Sequence, residues 1–120
     1  MFNIASNGIV TVNRGDSFVL PIVLRSGNTM LNELYKLTPQ DTLYIGIMEP
    51  NQPFETAILR KKVTYDDISE DNIEVFFKSE DTCCLLPGKY YYQVKLETKD
   101  SSGITYVETV IDKTLFYIKE

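Results

Sequence analysis

Acid–base and nucleophilic catalysis near neutral pH usually recruits imidazole, and this chain of 120 residues contains no histidine. Cys-His and Ser-His-Asp nucleophile arrangements are thereby excluded, and so are the usual zinc sites. Few residues remain that could do chemistry. Cys83 and Cys84 are adjacent, so their Cα atoms stand about 3.8 Å apart, below the separation most disulfides adopt. They lack CxxC spacing, and two thiolates alone seldom hold a metal. The expectation is a pair of free thiols, one buried as a small apolar side chain and one near the surface. Free thiols suit a reducing cytosol.

Carboxylates gather at Asp66-Asp67, Glu70-Asp71 and Glu80-Asp81. Calcium takes oxygen ligands of this kind, but none of the three clusters has the spacing of an EF-hand loop, and solvated loop charges are the expected role. A glycosidase pair would need two carboxylates facing each other across a cleft, which sequence adjacency does not supply. Arg14-Gly15-Asp16 spells the tripeptide that integrin ligands display. The same residues serve as a plain connector, with Gly15 supplying a turn and Asp16 opening the next strand. The glycines are scattered singly, so no loop is built to cradle phosphate. The residues therefore point to a protein that is not an enzyme and that uses no cofactor or metal.

Charge narrows the partners. The net charge is -5 and the acidic residues are spread along the chain, a field that repels phosphate backbones and argues against nucleic acid. No stretch approaches the roughly 20 apolar residues of a membrane span, and Met1-Phe2-Asn3-Ile4 has neither the basic nor the apolar region of an export signal. A soluble protein with no membrane partner is expected. The length suits a single domain over residues 1–120, burying roughly two-thirds of its unfolded surface.

Period-two alternation supplies the elements. Between Lys89 and Thr98, the residues Tyr90, Tyr92, Val94 and Leu96 share one face while Lys89, Tyr91, Gln93, Lys95 and Glu97 share the other, as in a half-buried antiparallel strand. Lys99 to Gly103 reads as a polar turn leading into a partner strand from Ile104 to Ile111, with a bulge near Val107 and Glu108 that would leave Val107, Thr109 and Ile111 on a common face. Upstream, Ser17 to Leu24 places Phe18, Leu20, Ile22 and Leu24 inward, and Pro21 assigns that strand to an edge or a bulge. Leu43, Ile45 and Ile47 mark a strand from Thr42 to Met48. Ile73, Val75 and Phe77 mark another from Asn72 to Lys78. Ile9 to Val12, Ile58 to Thr64 and Thr114 to Lys119 bring the total to seven or eight, a number that favours an antiparallel sandwich over a barrel. Helix is confined to one turn at Ser79 to Cys84, with Ser79 as its cap and Pro87-Gly88 as its stop.

Two tyrosine roles follow from this frame. Tyr90 or Tyr92, near the start of the long strand, could fold its hydroxyl back onto the preceding corner, as sandwiches often do. Tyr91 points the other way beside Lys89 and Gln93, so an interface would draw on Tyr91, Tyr117 and the edge strand holding Pro21.

The order of several segments resembles the small immunoglobulin-like domains at the N-terminus of phage baseplate upper proteins and of related short prophage proteins. Val10-Thr11-Val12-Asn13-Arg14-Gly15-Asp16-Ser17-Phe18 is similar to the family's opening strand, turn and second strand. Gln40-Asp41-Thr42-Leu43-Tyr44-Ile45-Gly46-Ile47 resembles its third strand. Ser79-Glu80-Asp81-Thr82, followed by Leu86-Pro87-Gly88-Lys89-Tyr90-Tyr91-Tyr92-Gln93-Val94-Lys95-Leu96, resembles its acidic turn and long tyrosine-containing strand. Val107-Glu108-Thr109-Val110-Ile111 and Leu115-Phe116-Tyr117-Ile118 resemble its last hairpin. The resemblance implies an immunoglobulin-like antiparallel β-sandwich made in the bacterial cytoplasm and carried in a virion. It implies a structural role through contacts with other phage tail or baseplate proteins and within a homo-oligomer. The residues alone also admit a cellular carbohydrate-binding or adhesion module, although the chain has no Trp to serve as a sugar platform.

Overall fold

The computed structural model describes residues 3–4, 8–22, 37–67 and 73–120. Eight strands occupy them: β1 (Asn3–Ile4), β2 (Val10–Asn13), β3 (Phe18–Ile22), β4 (Asp41–Met48), β5 (Leu59–Thr64), β6 (Ile73–Phe77), β7 (Gly88–Lys99) and β8 (Thr105–Lys119). One helix, α1 (Ser79–Cys83), and two short 3-10 turns, Phe54–Thr56 and Tyr65–Asp67, complete the described elements. The protein is all-β. Six strands form one sheet in the order β1-β2-β8-β7-β4-β5, and β3 pairs with β6 in a second sheet. Pairing is antiparallel throughout except for β2, which runs parallel to β8 with Val10 opposite Phe116.

The alternation read from the sequence is what joins the two sheets. Phe18, Leu20 and Ile22 of β3 are buried together with Ile73, Val75 and Phe77 of β6, while the residues between them are exposed. Leu24 and the residues after it up to 36 lie outside the described residues. From the larger sheet, Leu43, Ile45 and Ile47 meet Tyr90, Tyr92, Val94 and Leu96, all buried. Phe18 stacks on Phe77 with ring centroids 4.6 Å apart, and Phe116 of β8 reaches both rings, at 6.0 and 6.4 Å. Tyr92 meets Phe116 edge-on at 6.3 Å. Aromatic contacts of this geometry add to the gain from area burial.

Polar groups close the margins. Asp41, 1% exposed, accepts hydrogen bonds from the Thr98 hydroxyl at 2.6 Å and the Thr38 N–H at 2.9 Å, tying the start of β4 to the end of β7. The Tyr90 hydroxyl donates to the Leu86 carbonyl at 2.6 Å, the return bond of a corner tyrosine. Tyr92 reaches instead across to the Gly8 carbonyl at 2.7 Å, so the corner belongs to Tyr90. Burial raises the pKa of both phenols, most directly by disfavouring the charged form.

Three local expectations are corrected. Ile104–Ile111 and Thr114–Lys119 are parts of one 15-residue strand, because Asp112-Lys113 is absorbed without a turn. Its register against β7 slips between Tyr92 and Val94 and again between Val94 and Lys95. Each slip reverses the facing of side chains. The bulged region therefore lies between Thr109 and Thr114, not at Val107. Val107 and Thr109 oppose Glu97 and Lys95 on the outer face, whereas Ile111 opposes Val94 on the core side. At α1 the N-cap position is Lys78 rather than Ser79, and the Asp81 carboxylate accepts the Lys78 N–H at 2.7 Å.

Phe116 is wholly buried and touches both layers. Phe116→Ala is therefore expected to lower unfolding free energy by about 3–5 kcal/mol in urea titrations, and a loss under about 1 kcal/mol would remove these rings from the centre of the core.

Candidate interaction surface

Two of the carboxylates considered for chemistry, Asp67 and Asp81, make structural contacts. The Asp67 carboxylate accepts from both the N–H and the hydroxyl of Thr64, at 2.9 and 3.0 Å, and these bonds hold its pKa below the usual carboxylate range. Asp81 meets the Lys61 ammonium at 2.6 Å, and Lys61 also lies 5.7 Å from the centre of the Phe77 ring. Burial pushes the Asp81 pKa up, but the hydrogen bonds and charge of Lys61 and Lys78 outweigh it and leave the carboxyl below its ordinary value. Glu70 and Asp71 lie outside the described residues. Among the described residues no three or more His, Cys, Asp or Glu side chains converge as a metal cluster.

Arg14-Gly15-Asp16 is the connector between β2 and β3. Gly15 has φ +86°, a left-handed conformation that glycine adopts without strain. Its N–H donates to the buried Thr82 hydroxyl of α1 at 2.9 Å, and the Arg14 N–H donates to the Lys119 carbonyl at 2.6 Å. The turn is thus anchored at both residues. Cys83 and Cys84 depart from expectation, since both are exposed. The bend from Cys84 to Pro87 carries them over the surface at the end of α1.

A shallow groove of about 380 Å³ opens on the outer face of the larger sheet. Phe54 lines it and packs on Gly46, where an added Cβ would fall 2.7 Å from Phe54 Cε2, so the phenyl ring lies directly on the β4 backbone. The Arg60 guanidinium and the Lys95 ammonium sit 5.3 and 5.1 Å from that ring's centre, within the range of cation–π attraction. Arg60 also donates to the Phe54 carbonyl at 3.1 Å. Tyr44 bonds to Glu97 along the same groove, and its pKa is raised first by burial and then by the Glu97 charge. Sequence reading missed this cluster because Phe54 sits in a Pro-containing loop that shows no alternation.

The residues expected at an interface divide between the two layers. Tyr91 and Tyr117 come together on the outer face of the larger sheet, since Tyr91 opposes Leu115 and Tyr117 opposes Lys89. Both are half-buried rather than fully exposed. Pro21 lies on the exposed face of β3 in the other layer, opposite Glu74 and next along the strand face from Val19, which pairs with Phe76. Phe76 is 55% exposed. The parity that sends Phe77 inward sends Phe76 outward, so this patch was available to sequence reasoning.

A longer apolar surface lies at the β7–β8 turn. Asp100 folds the chain back by accepting the N–H groups of Ser102 and Ile104, both at 2.9 Å. Beyond it Ile104, Tyr106 and Val107 are each more than half exposed. Tyr106 opposes Thr98 and Val107 opposes Glu97, so the two side chains project from opposite faces of the ribbon. On its far side β8 is paired with β2 only from Phe116 to Lys119. Among the described residues, Thr105 to Leu115 has no strand on that side, and its backbone forms an open edge.

Comparison with known proteins found no matching family model, no matching curated protein and no matching solved structure. Among the described residues, no helix is long and apolar enough to cross a membrane.

The Asp81–Lys61 contact carries a pH signature. A carboxyl whose folded pKa is depressed contributes its full stability above the unfolded pKa of about 3.9 and loses that contribution as pH falls through the folded value. Asp81→Asn should therefore destabilise the protein at pH 7, with the gap from the native chain narrowing as urea titrations are taken below pH 4. An unchanged gap across that range would show that the carboxylate charge contributes nothing.

Proposed function

We propose that this chain is a non-enzymatic assembly protein whose working surface is the open edge of β8. The observation that carries the reading is the stretch from Thr105 to Thr109, unpaired on one side among the described residues and bearing exposed Tyr106 and Val107. Edge strands usually carry charge, proline or a bulge that discourages pairing with another chain. Here the bulged region begins at Thr109, and Glu108 is the one charge in the stretch. Such an edge suits strand addition, in which backbone hydrogen bonds supply affinity and alternate side chains supply specificity. The partner is a second copy of this chain, paired edge to edge in a symmetric assembly.

The architecture of the module is an immunoglobulin-like sandwich. Supporting this are β3 and β6 in one layer facing β5, β4, β7 and β8 in the other, the arrangement of strands B and E against C′, C, F and G. The corner bond from Tyr90 to Leu86 supports it as well. The ordered motifs from Val10 to Ile118 support a place for the assembly in a phage or prophage tail or baseplate, with other tail proteins as neighbours. A carbohydrate-binding module would need an aromatic face free to stack on a sugar, and in the groove the Phe54 ring has Arg60 and Lys95 seated on it.

Val107→Lys places a charge on the open edge, where the native side chain is 62% exposed. Sedimentation velocity should show self-association of the native chain and its loss in this variant, with the melting temperature nearly unchanged. Strictly monomeric native protein across accessible concentrations would defeat self-pairing. The virion placement is tested separately by mass spectrometry of particles induced from the source strain. The chain is expected at stoichiometric abundance, and its absence from intact particles would overturn that placement.

A further inference from the structure

Cys83 ends α1 and Cys84 follows it, with both side chains exposed and their Sγ atoms 3.5 Å apart. A disulfide would require the sulfurs to close to about 2.05 Å between Cα atoms only about 3.8 Å apart, below the usual range. A single soft atom between the sulfurs requires no such closure. With bonds of about 2.3 Å, the length thiolates make to zinc, and an angle of about 100° at its centre, such an atom spans the observed 3.5 Å without rearrangement. The Cys83 thiol also contacts the Glu80 carbonyl at 3.4 Å, which holds its sulfur on the side facing Cys84.

The surroundings select the class of ligand. Among the described residues no three or more metal-binding side chains converge, so an ion that wants four protein ligands, as structural zinc does, is not served. An acceptor that takes two sulfurs and keeps a substituent of its own is served. We infer that Cys83 and Cys84 form a chelating dithiol for soft, thiophilic centres, of which monosubstituted trivalent arsenicals are the representative class. Capture of an arsenoxide, R–As=O, forms two As–S bonds, breaks the As=O bond and both S–H bonds, and releases one water. Arsenic remains trivalent and no electrons are transferred. The Cys83 thiol is held above its ordinary pKa, chiefly by its hydrogen bond with Cys84 and next by burial. The two S–H protons leave with the arsenoxide oxygen as the released water. Thr82, buried and bonded to the Gly15 N–H, keeps the helix anchored while the two exposed thiols react. This inference does not rest on the assembly reading.

Phenylarsine oxide is the probe. Titrated into the folded chain, it should load one phenylarsenic group per molecule by intact mass, with both thiols disappearing together in a colorimetric thiol assay. The adduct should survive excess 2-mercaptoethanol and be stripped by 2,3-dimercaptopropanol. Cys83→Ser and Cys84→Ser should each bind the probe at least about 100-fold more weakly, the advantage that a second, linked contact confers. Two probes per chain, or an adduct that the monothiol removes from the native chain, would overturn the inference. Should either serine variant fail to fold, the monothiol and dithiol competition on the native chain decides alone.

Discussion

The two sheets meet through three phenyl rings shut away from water, and the strands around them are arranged to deliver those rings to one place. Phe18 and Phe77 stack across the smaller sheet, and Phe116 arrives from the larger one to touch both. Because side chains alternate along a strand, placing Phe77 inward commits Phe76 to solvent, and placing Phe18 inward does the same to Val19. The exposed apolar pair on the outer face is thus a direct consequence of the core. Each residue of the ring cluster sits next to a surface residue whose position it dictates.

Margins around that core are held by polar groups that burial makes demanding. Asp41 is almost inaccessible and Thr82 wholly so, and each has hydrogen-bonded neighbours from a distant part of the chain. Lys61 brings its ammonium over the Phe77 ring and onto Asp81, the habit of long cationic side chains at the border of a core. These contacts tie α1 to β5 and the β2–β3 turn to α1, so the only described helix acts as a brace between layers. At the opposite extreme, among the described residues the ribbon beyond Leu96 has no such brace on β8. Thr105 to Thr109 of β8 are exposed on both faces, and their order rests on the ladder with β7 and on the Asp100 turn.

Strands with strict alternation were legible in the sequence because half-burial imposes period two on residue type. The inward sets of β4, β6 and β7, and that of β3 as far as Ile22, could be named residue by residue. What failed was anything that changes facing partway along a strand. Asp112-Lys113 carries the polarity of a turn, yet two register slips let β8 run through it, and slips leave no compositional mark beyond a break in phase. The thiols were misjudged for a related reason: cysteine is usually buried as a type, but here the end of a single helical turn faces water. Phe54 and its two cations gather from a loop and two strands, a meeting that no local pattern announces. Pro21 was legible as an edge residue because a missing N–H constrains its place directly.

The parallel pairing of β2 with β8 sets Val10 against Phe116, and this has a bearing on biosynthesis. β2 must wait for a segment made more than a hundred residues later before the side of its backbone that faces β8 is satisfied. At ribosomal speeds of about 5–20 residues per second, that interval lasts several seconds. Throughout it, Val10 and Val12, which end up wholly buried, have β1 beside them but not β8. The larger sheet therefore closes late, and its greatest exposure to chaperones and to mispairing with sister chains falls during synthesis rather than in the folded chain.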